Sequence, residues 1–66
     1  MEIMLNGQAQ DVAEALTIAG LLAEAGLADR RVAVEVNQTI VPRSQHASHR
    51  LAAGDRVEIV HAIGGG

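Results

Sequence analysis

Arg56-Val57-Glu58-Ile59-Val60-His61-Ala62-Ile63-Gly64-Gly65-Gly66 is the last stretch of the sequence, and the fold turns on how it is read. Val57 and Ile59 alternate with Glu58 and Val60, the period of a half-buried strand. Val57 and Ile59 then take the inner face, and Glu58, Val60 and Ala62 the outer one. A strand that comes last must find partners already in place. The three glycines after it carry no side chains to pack. Alone, such a tail is as compatible with an inert end as with a working one. No catalytic pattern stands upstream of it, which makes the carboxylate of Gly66 the group to watch.

The partner strands lie N-terminal to it. Gly54-Asp55 is a turn signal, and Leu51 is expected to plug the core. Arg43–Arg50 is polar, with room for a short helical turn. Pro42 cannot donate to a ladder and ends a short strand, Ile40-Val41, at a sheet edge. Asn37-Gln38-Thr39 turns that strand back onto Val32–Val36, where Val32, Val34 and Val36 alternate with Ala33 and Glu35. Ala28–Arg31 is a polar connector. Before it, Ile18, Leu21, Leu22 and Ala25 form one stripe of a helix. Thr17 is placed to cap its start, and Leu16 and Leu21 have the spacing of a hydrophobic staple. Gly26 suits a left-handed C-terminal cap, with Leu27 folding back on Leu22. Gly20 stands where a capping-box acid would help, at a cost of about 1 kcal/mol in helix propensity. It would permit a close approach of helix to sheet. At the N-terminus, Met1–Leu5 alternates as a strand with Met1, Ile3 and Leu5 inward. Asn6-Gly7 is a strong hairpin signal, returning an edge strand over about Gln8–Val12.

Composition narrows the function. Cysteine and aromatic residues are both absent, and 48% of the 66 residues are hydrophobic. The core is therefore aliphatic, without disulfides or thiolate ligands. The net charge is −3, and all five basic residues are Arg. An acidic chain without aromatic stacking platforms is a poor nucleic-acid binder. No apolar run approaches a membrane span. Met1–Leu5 lacks the features of a signal peptide, so a cytoplasmic location is expected. The order of elements gives an α+β fold: a mixed sheet of four to five strands with one main helix packed on one face, the β-grasp arrangement. Residues 1–63 are expected to form the domain, and residues 64–66 a flexible C-terminal glycine tail.

Two segments carry a resemblance: Val36-Asn37-Gln38-Thr39-Ile40-Val41-Pro42-Arg43, and Ala53-Gly54-Asp55-Arg56-Val57-Glu58-Ile59-Val60-His61-Ala62-Ile63-Gly64-Gly65-Gly66. With the Leu21-Leu22 helix and the short length, the chain resembles the sulfur carrier family of thiamine biosynthesis, small ubiquitin-like β-grasp proteins. The resemblance runs end to end, and Gly20 departs from the acidic residue expected there. It implies a carrier and not an enzyme. An activating (E1-like) enzyme, using ATP and Mg²⁺, would adenylate Gly66. Sulfur from a cysteine desulfurase system would convert it to a thiocarboxylate, and thiazole synthase would receive that sulfur. The carrier itself would bind no cofactor.

The chemistry suits the residues. A carboxylate is a poor acyl donor until it is joined to AMP, after which a sulfur nucleophile can displace a good leaving group. Gly64 and Gly65 would thread a channel too narrow for side chains. Glu58, Val60, Ala62 and Ile63, with Arg56 at the flank, form a candidate docking patch at the exit of the tail. The competing reading takes Val60 and Ala62 as scattered surface apolar residues. His61 shares the inner parity of Val57 and Ile59 but lies past the core, as an edge histidine. His46 and His49 are spaced i, i+3, yet no third ligand accompanies them and no metal site is expected. Two other functions fit the pattern: the small sulfur-carrier subunit of molybdopterin synthase, and a non-catalytic β-grasp interaction module.

Overall fold

A computed structural model describes residues 1–61. The strands are β1 (Glu2–Leu5), β2 (Gln8–Asp11), β3 (Val32–Val36), β4 (Thr39–Val41) and β5 (Arg56–His61). Helix α1 spans Ile18–Glu24, and a 3₁₀ turn spans Arg43–Gln45. The strands form one five-stranded sheet in the order β2-β1-β5-β3-β4. β5 runs parallel to β1 and antiparallel to β3, while both hairpins are antiparallel. The last strand is thus the central one, in the β-grasp arrangement.

Both hairpins turn on two residues with positive φ, Asn6-Gly7 and Asn37-Gln38. Such turns match the right-handed twist of the strands they join. The core is aliphatic, as expected. Ile3, Ile18, Leu21, Val34 and Val57 are fully buried, with Val36, Val41, Leu51 and Ile59 around them. Val12, just past β2, also joins this cluster. β2 itself is exposed along its length, an edge strand held by backbone pairing to β1.

The start of α1 is fully accounted for. The Thr17 hydroxyl oxygen accepts from the Gly20 N–H at 3.0 Å. The Ile18 and Ala19 N–H groups donate to the carbonyls of His49 and His46. Leu51 N–H in turn donates to the Leu16 carbonyl, and Thr17 bridges Arg50. The 42–51 connector therefore caps the helix with its backbone, and no acidic side chain is needed in the first turn. At the other end, Leu27 N–H donates to the Leu22 carbonyl and Gly26 N–H to that of Ala23, the two bonds of a Schellman motif.

Two expectations need correction. Ala25 does not complete the buried stripe: it is the C-cap, and it is exposed. The glycine at position 26 ends the helix before another turn can pack. Gly20 does not admit the sheet. A Cβ there would lie 2.7 Å from Leu16 Cδ1, so the space is filled by the residue just before the cap.

Candidate functional site

The strand that leads to the tail is held on both sides. β1 supplies parallel pairing at Met4–Arg56 and Leu5–Val57, and β3 supplies antiparallel pairing from Val36–Val57 to Val32–His61. Side chains add two clamps. Asn6 Oδ1 accepts from the Ile59 N–H at 2.8 Å. Asn37 Oδ1 accepts from the Arg56 N–H at 3.0 Å, while Asn37 Nδ2 donates to Asp55 Oδ1 at 3.1 Å. Asp55 Oδ2 also accepts from the Ala52 N–H, closing the turn that starts β5. Sequence patterning marked Asn6 and Asn37 only as turn formers. Their second role depends on contacts between distant residues, which no local pattern reveals.

The sheet face opposite α1 is uncovered among the described residues. Register places Glu58 beside Glu35, and Glu35 beside Ile40, as one row across β5, β3 and β4. Val60 pairs with Ala33 in the next row toward the tail. Glu58 and Val60 are exposed as expected, Val60 to 55% and Ile40 to 65%. Opposed side chains in such pairs lie about 5 Å apart, so Glu58 and Glu35 set two like charges together. Two carboxylates side by side on an open face can together accept a cationic side chain. Ile40 and Glu35 extend the patch beyond the residues named from sequence. The signal for them is register, visible only once β3 lies between β4 and β5.

The remaining expected site residues, Ala62, Ile63, Gly64, Gly65 and Gly66, lie outside the described residues, and so does the domain boundary at residue 63. His61 is exposed at the end of β5, opposite Val32. His46 is turned inward. Its side chain is buried, and its Nε2 lies 3.0 Å from the Val41 carbonyl, to which it donates. That bond commits Nε2 to the backbone, so His46 is a structural plug beneath the 3₁₀ turn. Among the described residues no three His, Asp or Glu side chains are grouped to hold a metal ion. No described helix is long and apolar enough to cross a membrane.

Comparison with known proteins agrees with this fold. Residues 3–66 match the model of a family described as the ThiS family. All 66 residues align at 36% identity with the sulfur carrier protein ThiS of Escherichia coli (strain K12), covering all of that protein. They also align at 42% identity with a thiazole synthase of Paramagnetospirillum magneticum, covering 20% of it. A thiazole synthase of Magnetococcus marinus aligns at 41% identity, again over 20% of its length. The chain thus spans about a fifth of the length of these two relatives. The crystal structure of a thiamine biosynthesis protein (ThiS) from Geobacter metallireducens superposes with a TM-score of 0.87 at 32% identity, each chain covered completely.

Proposed function

The chain belongs to the ThiS family, the sulfur carriers of thiamine biosynthesis, and we propose that the carboxylate of Gly66 is the group that carries the sulfur. The observation that carries this reading is the match to the family through Gly66, on a domain whose central strand leads into the tail. The protein is a carrier and not itself a catalyst. Its partners do the chemistry. An adenylating enzyme uses ATP and Mg²⁺ to join Gly66 to AMP, expelling pyrophosphate. A persulfide formed by a cysteine desulfurase then displaces AMP, joining its outer sulfur to the acyl carbon, and a thiol reduces the resulting acyl disulfide, leaving the thiocarboxylate and a disulfide. Thiazole synthase takes the sulfur from the resulting thiocarboxylate; the two thiazole synthases that contain a segment similar to this chain support it as the recipient. The carrier binds no cofactor of its own, and the cycle runs in the cytoplasm.

The tail enters its partners' active sites as a thread. Three residues reach about 10 Å when extended. Gly64 and Gly65 allow the channel around them to exclude side chains and water from the acyl-adenylate. Docking falls to the uncovered sheet face. On it Val60 supplies apolar contact, and Glu58 with Glu35 a site for a cationic side chain of the adenylating enzyme; Ala62 and Ile63, which lie outside the described residues, would add apolar contact where the tail leaves the domain. The test is intact-mass measurement after incubation with ATP, Mg²⁺, the adenylating enzyme and a cysteine-derived sulfur source. One oxygen should be replaced by sulfur, and a chain lacking Gly66 should show no gain. An unchanged mass in the parent chain, with an enzyme active on its own carrier, would refute the assignment.

A further inference from the structure

We infer that the cleft between α1, the start of β3 and the 3₁₀ turn receives an acidic side chain of the adenylating enzyme into which the tail is threaded. This rests on the carrier reading above and adds a second point of attachment, on the helix side of the molecule. The cleft has a volume of about 220 Å³. Ala19, Leu22 and Val32 give it aliphatic walls, and Arg30, Arg43 and His46 line it as well. Among the described residues no carboxylate lines it.

Three observations specify the occupant. The first is charge. In a chain of net charge −3, two exposed arginines border one small cleft. Among the described residues the ion pairs are those of the Met1 amino group with Asp11 and Glu14, and neither Arg30 nor Arg43 has a partner. A guanidinium fork binds a carboxylate through two parallel hydrogen bonds. The second is size. Ligand pockets generally measure about 300–1,000 Å³, so this cleft suits a side chain better than a nucleotide. The methylenes of a glutamate would lie on Leu22 and Val32 with its carboxylate between the arginines. The third is position. Val32 is the register partner of His61, the last residue of β5. A protein that takes up the tail must therefore lie next to the mouth of the cleft.

His46 provides a reporter. Its Nε2 is engaged with the Val41 carbonyl, and no buried side-chain nitrogen or oxygen lacks a partner among the described residues. Nδ1 has no described partner, so it is not sealed from solvent, and His46 lines the cleft. An occupant would shift the His46 ring resonances and leave those of His49 unchanged.

The test uses the full chain and the adenylating enzyme. Arg30→Glu and Arg43→Glu should each raise Kd about tenfold and Arg50→Glu should leave it unchanged, with melting temperatures equal in all three. Arg30→Ala and Arg43→Ala should weaken binding less than the charge reversals. A chain ending at His61 should bind more weakly but keep its dependence on Arg43. Inorganic phosphate serves as the competing probe. If it saturates the His46 shift without weakening the enzyme complex, the cleft is a free-anion site and the docking inference fails. It also fails if Arg30→Glu/Arg43→Glu binds as tightly as the parent. Failure of the carrier reading would look different: Gly66 would gain no sulfur, whatever the arginine variants did to binding.

Discussion

The side-chain oxygen of Asn6 accepts a hydrogen bond at 2.8 Å from the backbone N–H of Ile59, 53 residues away. Asn6 also holds the positive φ that turns the first hairpin. One residue thus folds β1 back on β2 and ties β1 to the central strand. The two roles separate by substitution. Asn6→Gly keeps the backbone conformation and removes the acceptor, and should cost about 1 kcal/mol. Asn6→Ala loses both and should cost about 2 kcal/mol. Asn6→Asp retains both and should stay near the parent. Urea unfolding gives the three values, and amide exchange at Ile59 should speed up in the first two. Asn6→Gly as stable as the parent would show that the bond contributes nothing.

Gly20 and Leu16 are coupled through the space a Cβ would need. The nearest atom, Leu16 Cδ1, is the end of a flexible side chain, but Thr17 Oγ1 lies 3.3 Å away and is held by its capping bond. Gly20→Ala should therefore gain little of the roughly 1 kcal/mol of helix propensity normally expected. In a Leu16→Ala background the same change should recover most of it. A double-mutant cycle by thermal or urea unfolding measures the coupling; additive effects would contradict the packing described.

The Met1 amino group lies 3.1 Å from Asp11 Oδ1 and 3.2 Å from Glu14 Oε2, and donates to the Val12 carbonyl at 2.7 Å. The hydrogen bond to Asp11, then that to Glu14, raises its pKa above 8.0. Folding therefore favours the protonated amine. Its contribution should be complete below pH 8.0 and be lost as pH rises through the higher folded value. Asp11→Asn/Glu14→Gln should flatten stability over that range. A parent chain whose stability is unchanged there, measured with a free Met1 amine, would exclude the linkage.

Gly65→Val should abolish adenylation while leaving the melting temperature of the domain unchanged. Val60→Asp, at a position exposed to 55%, should weaken docking to the adenylating enzyme about tenfold, also with little change in stability. Pyrophosphate release and isothermal titration separate the two effects. Gly65→Val charged at the parent rate would disprove the narrow channel, and Val60→Asp binding like the parent would remove Val60 from the interface.

Much of the fold is legible because it is local. Val32, Val34 and Val36 alternate, Asn6-Gly7 turns a hairpin, and Thr17 and Gly26 bracket a helix; each signal lies within a few residues of its effect. The candidate site divides the same way. Glu58 and Val60 have outward parity by alternation alone, and both are exposed. Ile40 and Glu35 join them only through register. His46 and His49 share a spacing, but burial and the Val41 carbonyl give His46 a structural place that spacing does not encode. Gly20 was legible as an exception and not in its cause, because the atom that fills its space belongs to a rotamer of Leu16.

By itself the sequence determined the elements, the aliphatic core and the family resemblance, because hydrophobic period, turn chemistry and motif spacing are properties of neighbouring residues. Tertiary structure alone decided that β5 enters between β1 and β3. It also decided that Asn6 and Asn37 reach across the fold to hold that strand, and that Arg30, Arg43 and His46 line one cleft. These relationships join residues from distant parts of the chain. They exist only when the core formed by Ile3, Val34 and Val57 brings the strands together.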